Sequence, residues 1–428
     1  MENKKKILIA AEIFPPDIGG PATYSRIIAD ELHSRGFKVA LICYANKTYR
    51  IYEPYIILGV KRSKLKFIHY FVYFFRLLLL SRNYDEVYAQ GPVSSGLPSV
   101  LVKYLLRKKL VIKVVGDYAW EQSMQSEKIK GKKISEIKFI DDFQDIKPKG
   151  KINILQKIQH YTCRNADFII VPSLYLKKIV KKWGIKEEKI EVIYNSINLK
   201  KLYGAKNRID ARRKLDFKEN DFVIVSIGRN VIWKGFGMLA IVVSEIYEKY
   251  KNNLNIKLRI LGVDGHDRVE QQIKLYNDTV VKEIRPTQDG REHEILRVEH
   301  DEHYYKHFID ALGDKPKDDV YEFLLASDLF VLNTAYEGLS HAILEAFAFG
   351  VPVITTDVGG NSELVNDNYN GILIKFNNKD QLKQNIIRII EDEQLRNKLS
   401  ENAKKFISGD KFKYETMIQK TINLFETL

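Results

Sequence analysis

At 428 residues the chain is too long for one ordinary hydrophobic core, so two domains are expected. With 45% hydrophobic and 29% charged residues, the composition excludes an extended disordered chain. The net charge of +14 is uneven: residues 1–200 carry 36 Lys and Arg against 19 Asp and Glu, and the remainder 33 against 36. The basic surplus therefore belongs to the first half, where it favours an anionic partner: membrane lipid, nucleic acid or a phosphorylated acceptor. Cys43 and Cys163, at no metal-ligand spacing, argue against a disulfide framework and for a reducing compartment. The start, MENKKKILIAAEIF, has a short apolar run without a cleavage site and is not a signal peptide.

In chain order, Lys6 to Ala11 reads as a first strand, followed by the loop FPPDIGGPATY and a helix from Pro21 to about His33. Gly19 and Gly20 permit positive φ or the close approach of a ligand to the backbone; a plain strand-to-helix turn is the alternative. Phe37–Cys43 and Ile56–Gly59 are further strands. Lys61 to Arg82 is a helix whose apolar part is too short to span a bilayer. It either packs in the core or rests its aromatic face and lysines on an anionic membrane surface. Strands follow at Glu86–Ala89 and Leu110–Val115. The second of these leads into Asp117, which either orients an acceptor hydroxyl or caps a helix. Residues 124–151 are polar and lysine-rich, and their acidic patch, Asp141, Asp142 and Asp145, lacks the compact oxygen-ligand loop of a metal site. Strand, helix and strand at Asp167–Val171, Ser173–Trp183 and Ile190–Ile193 complete the first half, and Lys200–Asn220 reads as a linker.

The second half restarts with the strand Phe222–Ile227 and the turn Gly228-Arg229-Asn230-Val231-Ile232-Trp233-Lys234-Gly235. Arg229 and Lys234, five residues apart at a strand end, can clamp two phosphate oxygens, the first through its planar fork and the second as a point charge. Lys257–Leu261 is a strand ending in a candidate base-binding loop at 262–265. Residues 266–318 are charged and irregular, with HDRVEQQIKLYNDTV a candidate helix. Of His293, His300, His303 and His307, the last two alone have helical i, i+4 spacing, and no H-E-x-x-H occurs, so a metal is not expected. Leu329–Leu332, a loop with Glu337 and Gly338, a helix from Ser340 to Phe349 and a strand from Val353 form one strand–loop–helix–strand unit of a parallel sheet. The N–H groups of Gly338, Leu339 and Ser340, with the positive end of the helix dipole, suit a phosphate. Glu345, one and a half turns on, could accept hydrogen bonds from a ribose diol. Gly371–Ile374, two helical stretches at Asp380–Asp392 and Glu393–Phe406, and an amphipathic helix Phe412–Leu428 close the chain.

Glu337 and Glu345, with the flanking EGLSHAILEAFAFGVPVITTDVGGNSELV, resemble the E-x7-E segment of retaining glycosyltransferases of the GT-B type, family four. The PPxxGGxxxY loop and the GR-x4-KG segment (Gly228, Arg229, Lys234) are similar to two other passages of that family, and the resemblance covers most of the chain. It implies the GT-B architecture of two Rossmann-like α/β domains with a cleft between them, at 1–200 and 201–411, the helix 412–428 packing back on the first. It further implies that Glu337 faces the donor sugar, Glu345 binds ribose, the amides from 338 meet the phosphates, and Arg229 and Lys234 hold the diphosphate. The histidine common at the strand end before Asp117 is absent, since VGDYAWE stands there, which leaves the acceptor side undetermined. The expected protein is a metal-independent transferase without a cofactor, working in the cytoplasm or peripherally on the inner face of the membrane. Its donor is a nucleoside diphosphate sugar and its acceptor a saccharide or lipid-linked hydroxyl, in polysaccharide or glycolipid synthesis. The rival readings are an epimerase or phosphorylase of the same architecture and, from another class, a nucleic-acid-binding protein. The last lacks a recognisable module, so nucleic acid is not an expected partner.

Overall fold

The computed structural model describes residues 4–17, 19–52, 54–126, 139–202, 207–283 and 307–428. The chain divides into two units, one of Met1–Ser123, Ile140–Asn195 and Tyr414–Leu428, the other of Met124–Phe139 and Ser196–Lys413. The border falls after Asn195, and the Ser196 hydroxyl donates to the Phe412 carbonyl within the second unit.

The first unit holds β1 (Lys6–Ala11), β2 (Lys38–Ala45), β3 (Tyr49–Ile51), β4 (Ile56–Lys61), β5 (Glu86–Gln90), β6 (Lys109–Lys113), β7 (Phe168–Val171) and β8 (Ile190–Val192). Their order in the sheet is β3-β4-β2-β1-β5-β6-β7-β8, parallel except for β3, which runs antiparallel to β4. Ile7 to Ala11 are fully buried, as expected of a parallel strand covered on both faces. The helix Gly20–Ser34 and the terminal helix Tyr414–Thr427 cover one face. Met417, Ile418, Ile422, Leu424 and Phe425 join that core, and the Phe425 ring meets Tyr88 edge-on at 5.2 Å. Each such side chain contributes roughly 1.5–3 kcal/mol on burial.

The second unit holds β9 (Asp221–Ile227), β10 (Asn255–Leu261), β11 (Ile309–Ala311), β12 (Leu329–Leu332), β13 (Val353–Thr356) and β14 (Ile372–Ile374). They form a wholly parallel sheet in the order β11-β10-β9-β12-β13-β14. In both sheets the chain builds outward from a first strand on one side and then returns to the other. The crossover lies between β1 and β5 in the first sheet and between β9 and β12 in the second. Such crossover points, at the carboxyl ends of the strands, are where open α/β sheets bind ligands.

The expected linker at 200–220 is in part a helix, Arg208–Lys214, capped by the Asn207 side chain. Arg212 is buried there, donating to the carbonyls of Ala326, Lys218 and Asp221 and to Asp328, so this segment is built into the second unit. Among the four histidines of the metal reading, His293, His300 and His303 lie outside the described residues.

Candidate active site

The second crossover gathers the residues that the sequence marks. β9 ends at Ile227, and Gly228, with Arg229 next to it, begins the turn that carries Lys234. The Gly228 N–H donates to the Leu261 carbonyl at 3.0 Å, and the Arg229 carbonyl accepts from the Val231 N–H at 2.8 Å. A Cβ at Gly228 would stand 3.4 Å from Cδ and Cε of Lys234, so the lysine stem runs across the glycine. Its ammonium then hydrogen-bonds to Glu337 Oε1, beyond β12. Both side chains are largely withdrawn from solvent, at 12% and 16% exposure. One cation and one carboxylate from loops about a hundred residues apart in sequence are thereby brought to one point.

Two glycines fix the Glu337 loop. Gly359, at φ +59°, lies so close to Glu337 that a Cβ would fall 2.1 Å from the Glu337 carbonyl oxygen. A Cβ at Gly360 would fall 2.2 Å from the Gly338 carbonyl oxygen, and the Gly360 N–H donates to Glu337 O at 2.9 Å. Thr355 and Thr356 donate to the carbonyls of Leu332 and Thr334, and the Asn361 amide donates to Thr355 Oγ1 at 3.0 Å. Gly338, Leu339 and Ser340 lead buried into the helix His341–Ala348, where Ser340 is the N-cap and accepts from the Ile343 N–H at 3.3 Å.

Glu345 lies on that helix, buried, its pKa pushed up by burial and drawn back by Lys317, whose ammonium hydrogen-bonds to Oε1. Lys317 begins the helix Lys317–Ala326 and lies over the Tyr321 ring at 5.4 Å. Sequence reading identified the glutamate and missed its cationic partner. Nothing in the sequence around Lys317 signals the pairing.

In the first unit, Gly19 adopts φ +149° at the start of the helix Gly20–Ser34, and its carbonyl accepts from the Thr23 N–H at 3.1 Å. Gly20 is simply the first helical residue. Asp117 does not present itself to an acceptor. It is fully buried; Oδ1 accepts from the Trp120 N–H at 3.0 Å and from Gln159 at 3.0 Å, and Oδ2 accepts from Gln144 at 2.9 Å. Gln144 is itself held by the Trp183 indole N–H at 2.8 Å. Of the two readings of Asp117, the structure supports the cap of the helix Tyr118–Ser126. Replacing it with alanine is expected to lower unfolding free energy by about 1–3 kcal/mol in a urea titration, leaving the activity of the folded protein within a few-fold.

The second crossover thus brings a lysine onto a carboxylate at the carboxyl ends of the strands, where open α/β sheets bind ligands. A model described as Glycosyltransferase Family 4 matches residues 18–201, and one described as Glycosyl transferases group 1 matches residues 207–406. The chain belongs to these glycosyltransferases. It is 29% identical over 269 residues to an uncharacterized glycosyltransferase of Methanocaldococcus jannaschii, covering 63% of this chain and 62% of that protein. It is 29% identical over 232 residues to an Escherichia coli UDP-Gal:alpha-D-GlcNAc-diphosphoundecaprenol alpha-1,3-galactosyltransferase, covering 54% of this chain and 52% of that protein. The chain therefore spans less than two thirds of the length of the curated relatives it matches. Among solved structures, the sucrose-phosphate synthase of Thermosynechococcus elongatus superposes with a TM-score of 0.75 at 18% identity, over 99% of both chains. Anabaena HepE in complex with UDP-glucose gives 0.72 at 17% identity, over 99% of this chain and 100% of that one. At such identities the likeness concerns the fold, which is GT-B.

Proposed function

We propose that the chain is a retaining glycosyltransferase that moves a sugar from a nucleoside diphosphate sugar to a hydroxyl of a saccharide or lipid-linked acceptor, in cell-surface polysaccharide or glycolipid synthesis. The observation that carries this reading is the Lys234 ammonium on Glu337 at the second crossover. In the reaction the acceptor oxygen bonds to the anomeric carbon as the bond from that carbon to the phosphate oxygen breaks. The electron pair leaves with the diphosphate, which also takes the hydroxyl proton. The barrier lies in the negative charge gathering on that leaving group. Lys234, Arg229 and the amides of Gly338 to Ser340 would stabilise it, in this reading without a metal ion or other cofactor. Glu337 would hold sugar hydroxyls, and Glu345, kept in place by Lys317, the ribose. The relatives named for diphosphoundecaprenol-linked acceptors support a lipid-linked substrate, and the UDP-glucose complex of HepE supports the donor class. A thermal-shift panel of nucleoside diphosphates and their sugars tests the donor, since the true one raises the melting temperature by mass action. No response to any of them, or transfer abolished by EDTA, would contradict this reading.

We further place the protein at the inner face of a membrane. The helix Lys66–Ser81 is divided: Tyr73 and Leu77 are fully buried, while Phe71, Phe75 and Leu79 are exposed at 64%, 42% and 56%. The adjoining helix Gly96–Leu106 exposes Leu101, Tyr104 and Leu105. Exposed Lys61, Lys64, Arg82, Arg107 and Lys109 flank these side chains. No helix among the described residues is long and apolar enough to cross a membrane. Exposed apolar rows on helices with exposed cations next to them in sequence suit the surface of an anionic bilayer. Co-sedimentation with phosphatidylglycerol vesicles is expected, and Phe71→Asp with Leu105→Asp should weaken it at least about tenfold. Equal binding to neutral vesicles, or none to either, would return the helix to a purely internal role.

A further inference from the structure

The crossover of the first sheet holds a carboxylate that the donor chemistry does not use. Glu12 directly follows β1; Ala11, before it, pairs in register with Gln90, the last residue of β5. Glu12 is thus next to Gly91, which adopts φ +145° and where a Cβ would stand 2.5 Å from Glu12 Oε1, so a side chain at 91 would collide with the carboxylate. Oε1 accepts from the Ser94 N–H at 3.2 Å. Among the described residues Glu12 has no ion-pair partner, and it is half-buried. The groups around it come from β2, from the helix Tyr118–Ser126 and from the helix Lys66–Ser81. They are Tyr44, Tyr73, Tyr118 and the acidic Glu121. The Tyr44 hydroxyl donates to the Ser94 carbonyl at 3.0 Å, and its ring meets Tyr70 edge-on at 5.9 Å.

The two carboxylates, Glu12 and Glu121, disfavour an anion and favour a neutral polyol. Two carboxylates repel phosphate. A carboxylate with acceptor capacity left beyond the Ser94 N–H accepts from sugar hydroxyls, and the rings of Tyr70 and Tyr118 can pack on sugar C–H faces.

We propose that Glu12 is the acceptor-binding carboxylate of this enzyme, receiving a hydroxyl of a saccharide unit that packs beside Tyr70 and Tyr118. The proposal rests on the transferase reading and deepens it, assigning to Glu12 the acceptor role that the buried Asp117 does not take. Burial pushes the Glu12 carboxyl up to about 7, so it is protonated below that pH and ionised above it. As a carboxylate it accepts hydroxyl hydrogens more strongly, and saccharide binding should rise through pH 7.

The test is saturation-transfer NMR of the full chain with three probes: methyl α-D-glucopyranoside, methyl α-D-mannopyranoside and N-acetylglucosamine. At least one is expected to bind, more tightly at pH 8 than at pH 6. Glu12→Gln should weaken it at least fivefold and flatten the pH response, with Glu12→Asp intermediate. Glu12→Gln removes a half-buried charge and should melt no lower than the parent at pH 8; if it fails to fold, the Glu12→Asp result and the pH response of the parent decide. No binding by any probe, or binding and pH response unchanged in the variant, overturns the proposal. UDP-induced stabilisation is read in parallel: its absence with sugar binding intact would sink the donor reading and leave only the saccharide site at Glu12 standing.

Discussion

Lys234→Ala is expected to lower kcat about 10²–10³-fold while the protein stays folded. The lysine stem crosses Gly228 and its ammonium ends on Glu337, so it is fixed before any donor arrives. Groups preorganised around developing charge are worth this much in other enzymes, because they need no rearrangement during the reaction. When the diphosphate enters, the ammonium has a second anion within reach and can bridge it to Glu337. Removing it also deletes one charge-assisted hydrogen bond to the ligand, worth about 1.5–3 kcal/mol, so UDP should bind roughly ten- to a hundredfold more weakly. Lys234→Arg should recover part of the loss, since the charge returns with a different reach and shape. Steady-state kinetics and UDP titration decide it. Unchanged turnover in Lys234→Ala would remove the lysine from the leaving-group site and with it the main support for the proposed chemistry.

How much of this was legible depended on how local each cause was. The interior strands were readable because parallel strands covered on both faces must be unbroken apolar runs: Lys6–Ala11 and Leu329–Leu332 fall where the sequence puts them. The strands Tyr49–Ile51 and Ile309–Ala311 were not, being three residues long at sheet edges, with Arg50 and Asp310 interrupting any run. The Lys200–Asn220 stretch looks like a linker because Arg212 reads as solvated, yet it is buried by carbonyls more than a hundred residues away in sequence as well as by near ones. In the site, Glu337 and Lys234 stand out through their flanking segments, but the contact between them does not. The same holds for Lys317 and Glu345, 28 residues apart and joined by two helices whose approach no local pattern encodes. Asp117 offered a cap and an acceptor role equally from sequence; Gln144 and Gln159, from other segments, decide it. Glu12 drew no notice because a polar residue after a strand is ordinary, and its significance comes from Gly91 and Ser94 on the neighbouring strand's loop.

Gly359→Ala should be nearly as damaging as Lys234→Ala, for a purely steric reason. Two costs arise. At φ +59° any residue with a Cβ is strained by roughly 1–2 kcal/mol. The new methyl would also sit 2.1 Å from the Glu337 carbonyl oxygen, which is backbone and cannot rotate aside. Either the Glu337 loop or the Gly359 turn must move by about an ångström, with overpacking of about 1–3 kcal/mol where it cannot relax. A shift of that size at a reacting group costs on the order of 10²-fold in rate. Thermal melts should therefore show a loss of a few kcal/mol and kinetics a fall in kcat of about 10²-fold. Gly150→Ala supplies the comparison: Gly150 has nearly the same φ, +58°, but nothing within 4 Å of its would-be Cβ. That variant should show the backbone strain alone, about 1–2 kcal/mol, with kcat unchanged. If the two alanine variants behave alike, the Gly359–Glu337 contact is not what holds the sugar-facing loop in place.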